Sequence, residues 1–143
     1  MTIYRFKDIL PNGCHKENNT IIINKNTELD FNDIIIIEQD MRVIILPKSK
    51  IYVMKIINYG EIENGGELFT FSLENYGLIK NIDLLVVEKG SLYNNGIINN
   101  YYYLYLLKSS KINNDGKLNN YSFVGGIIFI DKEKLFGNNL NLF

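Results

Sequence analysis

The chain has 143 residues, 46% of them hydrophobic, with 15 basic and 16 acidic side chains and a formal net charge of -1. That length makes one domain with a sizeable core, and the balanced charge supplies no basic field for nucleic acid. Cys14 is the only cysteine, which excludes an internal disulfide and a thiolate zinc cage, so neither metal nor cofactor is expected.

In chain order, residues 1–8 lack the apolar core of a secretory signal, which points to the cytoplasm or to a particle assembled there. Residues 1–19, with the turn Pro11-Asn12-Gly13, are expected to form an N-terminal cap. Segments 20–24, 29–31, 34–37, 43–46 and 51–54 are rich in Ile and Val and are separated by short polar stretches such as 24–26, 32–33 and 47–50. They read as strands of early, irregular coils. The longest apolar runs, 34–37 and 43–46, are far too short to span a membrane.

Further along, a motif recurs four times: an apolar residue, then Asn-x-Gly-x-(Ile/Leu)-x-Asn. Its fixed residues are Asn58, Gly60 and Asn64; Asn75, Gly77 and Asn81; Asn94, Gly96 and Asn100; Asn114, Gly116 and Asn120. Successive copies start 17, 19 and 20 residues apart, a period typical of stacked coils. Within each copy apolar and polar positions alternate strictly, which is a strand signature. Gly suits a corner because it tolerates positive φ or a close backbone approach, and Asn is the next best residue there. In coils stacked about 4.8 Å apart, matching Asn amides form a hydrogen-bonded ladder that satisfies groups otherwise costly to bury. Further strands are expected at 68–73, 84–87, 104–107 and 123–130.

The expected fold is all-β, a single-stranded parallel solenoid of about seven or eight short coils over residues 20–130. Residues 131–143 are assigned to a C-terminal cap or tail. Caps matter because an open terminal coil exposes unpaired backbone groups.

Candidate chemistry is sparse. Cys14 and His15 are neighbours, but adjacent residues on an extended chain point to opposite sides, so an incidental loop outweighs a nucleophile pair. Glu61, Glu63, Glu67 and Glu74 share outward parity; Glu63 falls over Lys80 one coil on, which reads as a surface ion pair rather than a catalytic carboxylate. Asn113 to Gly116 has suitable oxygens for calcium but no matching spacing, and reads as a turn. The tyrosines are the better candidates. Tyr101, Tyr103 and Tyr105 are expected to face outward in one row, with Tyr121 stacked on Tyr101, and Tyr59 matches Tyr76. Such rows offer flat apolar faces with polar tips to a protein or a glycan.

The run 44–53 followed by the Asn-x-Gly repeats resembles the right-handed parallel β-helix of surface adhesins, tailspike-type viral proteins and pectin-degrading enzymes. Asn-rich, Tyr-rich coils are also similar to proteins of large A/T-rich DNA viruses. Enzymes of this fold wall their groove with long loops, and the short connections here point to a non-catalytic structural or interaction module; the resemblance implies a virion or other large assembly as its setting, with a protein partner or self-association as a homotrimer. It implies, as alternatives, a carbohydrate-binding adhesin-like module, a polysaccharide-degrading enzyme, or a bactofilin-like filament former, whose pattern lacks these Asn-Gly corners.

Overall fold

The computed structural model describes residues 3–5, 12–88, 90–107, 111–121, 127–130, 135–137 and 140–142. Every regular element among them is a β-strand. Three strand segments make one turn, and each segment lies in parallel register on its counterpart in the next turn. The fold is a parallel β-solenoid.

The first face holds β3 (Thr20–Ile23), β5 (Arg42–Ile45), β7 (Glu61–Asn64), β9 (Leu78–Asn81), β12 (Ile97–Asn100), β15 (Lys117–Asn120) and β18 (Leu140–Leu142). The second and third faces are carried together by the long strands β4 (Glu28–Ile37), β6 (Lys50–Asn58) and β8 (Glu67–Asn75). In β6 the alternation of buried and open positions slips at Met54 and Lys55, and in β8 at Phe71 and Ser72. A slip of one residue is what a strand needs to bend while keeping both halves aimed at the core. Later turns split this element, into β10 (Leu84–Val87) and β11 (Ser91–Asn94), then β13 (Tyr103–Leu106) and β14 (Lys111–Asn114), then β16 (Ile127–Ile130) and β17 (Leu135–Gly137).

From β3 to β15 the chain makes about five turns, not seven or eight. The excess arose because segments 29–31, 34–37 and 51–54 are successive sides of the first two turns rather than separate coils. β1 (Ile3–Arg5) lies parallel on β4, and β2 (Cys14–Glu17) pairs antiparallel with β3 through a tight turn at Asn18, whose φ is 54°. β17 and β18 extend the ladders within the stretch assigned to the C-terminal cap or tail. Residues 1, 2 and 6–11 of the expected N-terminal cap lie outside the described residues, as do 122–126 and the rest of 131–143.

The core is a set of aliphatic columns. On the first face Ile21, Val43, Ile62, Ile79, Ile98 and Leu118 sit directly over one another, each 2% exposed or less. Leu68, Leu85 and Leu104 stack on the second face, and Ile56, Leu73, Leu92 and Ile112 on the third. Each such side chain contributes roughly 1.5–3 kcal/mol of burial.

Candidate interaction surface

Two buried Asn ladders mark the corners that shape the surface. In the first, the Nδ2 of Asn58 donates to Asn75 at 2.8 Å, Asn75 to Asn94 at 2.8 Å, and Asn94 to Asn114 at 2.8 Å. In the second, Asn64 donates to Asn81 at 2.9 Å, Asn81 to Asn100 at 2.8 Å, and Asn100 to Asn120 at 2.8 Å. Each interior amide also reaches backbone: Asn75 Nδ2 donates to the carbonyls of Gly77 and Ile97, both at 3.2 Å. A polar residue at the core edge is therefore satisfied by its own repeat.

The glycines beside the first ladder answer to space. None of Gly60, Gly77, Gly96 and Gly116 has positive φ, but a Cβ on Gly77 would lie 2.1 Å from the Gly60 carbonyl oxygen. One on Gly96 would lie 2.1 Å from that of Gly77, and one on Gly116 2.1 Å from that of Gly96. Of the two reasons for glycine at a corner, close approach is the operative one.

Outward positions on the first face mix aliphatics, Ile22, Ile44, Leu78 and Ile97, with a charged patch. Arg42 lies 3.4 Å from Glu61 and 3.6 Å from Glu63, and Lys80 lies 3.4 Å from Glu61. Arg42 Nε is buried without a hydrogen bond, so its contact with Glu61 is electrostatic. Glu63 does stand in register with Lys80, but the ammonium pairs with Glu61 instead. Both suspected carboxylates are thus held by cations. On the third face Lys55 pairs with Glu74 at 2.5 Å, and the Tyr76 hydroxyl donates to Glu74 at 2.9 Å. The Lys55 contact chiefly holds the Glu74 carboxyl below its ordinary range, while donation to Glu74 pushes the Tyr76 phenol up to about 12.

Cys14 and His15 do point apart. Cys14 is packed against the apolar core, and burial pushes its thiol above the ordinary value, away from nucleophile chemistry. His15 is exposed, with Nδ1 2.8 Å from the Asn24 side-chain oxygen and Nε2 3.5 Å from Glu17. No group of three or more His, Cys, Asp or Glu among the described residues is arranged to hold a metal ion. No helix among them is long and apolar enough to cross a membrane.

The tyrosines form three clusters. At the corner after Asn58, Tyr59 and Tyr76 stack with centroids 5.0 Å apart, as expected, and Tyr93 leans on Tyr76 at 5.7 Å. Tyr101 stacks on Tyr121 at 4.7 Å, also as expected. But Tyr101 and Tyr102 occupy the corner between β12 and β13, so the row expected from Tyr101 to Tyr105 breaks in two. Only Tyr103 and Tyr105 lie on β13, with parallel rings 5.7 Å apart, and Tyr102 packs against Tyr103 at 4.0 Å.

Sequence reasoning missed where Tyr105 leads. The outward column of the second face reads Asp30, Tyr52, Phe69, Val86, Tyr105. Tyr52 and Phe69 stack at 4.7 Å, and Val86, although outward, is only 5% exposed between its neighbours Phe69 and Tyr105. Beside it runs Lys50, Glu67, Leu84, Tyr103. The signal was available: Phe69, Val86 and Tyr105 each stand five residues beyond the second ladder Asn of their turn, Asn64, Asn81 and Asn100. No family model, curated protein or solved structure matches this chain.

Proposed function

We propose that this chain is a non-catalytic structural and interaction module of a larger assembly, which meets a protein partner through the second face of the solenoid. The observation that carries this reading is the continuous outward column Tyr52–Phe69–Val86–Tyr105 on a sheet backed by a stacked core. Aromatic residues on a rigid support provide contact area at little entropic cost. Four residues wide and about five strands long, this face measures roughly 13 Å by 24 Å. That is far below the roughly 800 Å² per partner of a stable interface. The partner therefore also spans the adjoining corner, with Tyr101, Tyr102 and Tyr121. A virion is the setting we propose, supported by the Asn- and Tyr-rich composition; lateral association of like copies is the form self-association would take.

The carboxylates support the non-catalytic part of the proposal, because Glu61 and Glu63 are engaged by Arg42 and Lys80. A glycan-binding reading rests on one observation, the parallel rings of Tyr103 and Tyr105 with Tyr102 alongside. The test is sedimentation of particles from the producing cells. The wild-type chain is expected to travel with the particles, and the double variant Phe69→Ser, Tyr105→Ser to return to the free pool while still unfolding cooperatively, at a temperature lower by several degrees. Free wild-type chain at every density, or particles that retain the variant, would overturn the proposal; glycan binding lost on Tyr103→Ala would replace it with the second reading.

A further inference from the structure

At the bend between the second and third faces a groove of about 240 Å³ runs along the solenoid axis. Its walls are Tyr52 and Phe69 on one side and Met54 and Phe71 on the other, its floor includes Thr70, and it has Asp30 at one end and Glu88 at the other. The floor is chemically quiet: Thr70 is 2% exposed and its hydroxyl donates to the Ser72 carbonyl at 2.8 Å. Recognition must therefore come from the walls and the two ends.

The ends are negative. The nearby cation, Lys50, lies between Glu28 and Glu67 in register, so its charge is balanced within its own column. Among the described residues no cation pairs with Asp30 or Glu88. Asp30 starts a column that passes through Tyr52 and Phe69 to Val86, and Glu88 follows Val86 by two residues. The two carboxylates are therefore three turns apart, about 14 Å along the axis at the usual strand spacing.

The walls discriminate against a flat ring. Tyr52 and Phe69 stack on each other with an interplanar angle of 14°, so the faces between them are covered and their edges line the groove. Lys50 Nζ lies 5.7 Å from both centroids, which places it beside the stack rather than above one ring. Edges suit a methylene chain better than a sugar face. Apolar walls with a few placed polar groups are the usual makeup of a small-ligand site.

We propose that this groove binds a linear aliphatic polyamine, with its terminal ammonium groups on Asp30 and Glu88 and its methylenes along Tyr52, Phe69 and Phe71. The groove shares Tyr52 and Phe69 with the face proposed to meet a partner, but its test uses the isolated chain and does not depend on that reading. Titration calorimetry at fixed ionic strength with α,ω-diaminoalkanes of four to fourteen carbons measures it. At roughly 1.3 Å of reach per bond, affinity is expected to peak near ten carbons, about tenfold above the four-carbon diamine. Asp30→Asn and Glu88→Gln are each expected to lower that peak about fivefold and flatten the length dependence, while Glu17→Gln leaves it unchanged. Affinity rising steadily with chain length, or indifferent to both end substitutions, would overturn the proposal.

Discussion

The first and second faces rest on the same interior and differ in the side-chain files they present to solvent. Behind each lie fully buried aliphatic columns, Ile62–Ile79–Ile98 under one and Leu68–Leu85–Leu104 under the other. In front, the first face sets Arg42 and Lys80 against Glu61 and Glu63, while the second sets Tyr52, Phe69, Val86 and Tyr105 in file. Stacking prescribes inward residues, because each must match the one above and below. It leaves outward residues free, so the difference between faces is where a role in recognition is written. Substitutions that strike what the faces share should cost most, and those confined to one face least.

Gly96→Ala should have the largest effect. Its Cβ would meet the Gly77 carbonyl oxygen at 2.1 Å, and that oxygen also accepts from Ile97 N–H at 2.9 Å. Backbone cannot yield as a flexible side chain can, so we expect a loss of about 4 kcal/mol or more, with both faces disordered together. Urea unfolding followed by tyrosine fluorescence would read it; a variant within about 1 kcal/mol of wild type would show that the corner can open.

Next in size is the ladder. Asn75→Ala deletes one amide that receives from Asn58 and donates to Asn94 and two carbonyls, leaving buried partners unpaired. The expected cost is about 2–4 kcal/mol. The outward pair Asn119 and Asn99 makes the same kind of amide contact, at 2.9 Å, only partly buried, so Asn119→Ala should cost about 0.5–1 kcal/mol. Equal losses in the two variants would mean that burial is not what gives the inner ladder its weight.

The ladders were legible because Asn64, Asn81, Asn100 and Asn120 recur with Gly or aliphatic residues at fixed offsets, and only in-register stacking makes a repeated buried amide self-consistent. The number of turns was not. In β4 the polar pair Asn32–Asp33 coincides with a shift of register, but β6 and β8 run eight residues before their first Gly or Asn, and their bend shows only as the slip at Met54–Lys55 and Phe71–Ser72. Nor was the break in the tyrosine row, since Tyr101 and Tyr102 carry no Gly to announce a corner; hydrogen bonds from Tyr101 N–H to Asn81 and from Tyr103 N–H to Asp83 make it instead. The aromatic column stayed hidden for a different reason. It mixes Tyr, Phe and Val, so it is a file of like surfaces rather than like letters, and only the register joins them.

The smallest effect separates the faces directly. Lys80→Ala removes a 3.4 Å contact between half-exposed groups on the first face, and a screened surface pair contributes at most about 1 kcal/mol. That loss should shrink toward zero in 1 M salt, where screening acts within about 3 Å. Phe69→Ser on the second face removes a ring stacked on Tyr52 at 4.7 Å, a loss of about 1 kcal/mol that owes nothing to charge. Its cost should persist or grow in high salt, since excluded salts strengthen apolar contacts. Thermal unfolding of both variants at low and high salt gives the comparison. If the Phe69 variant lost its effect in salt as the Lys80 variant does, the two faces would be held by the same kind of force, and the division between them would have no energetic basis.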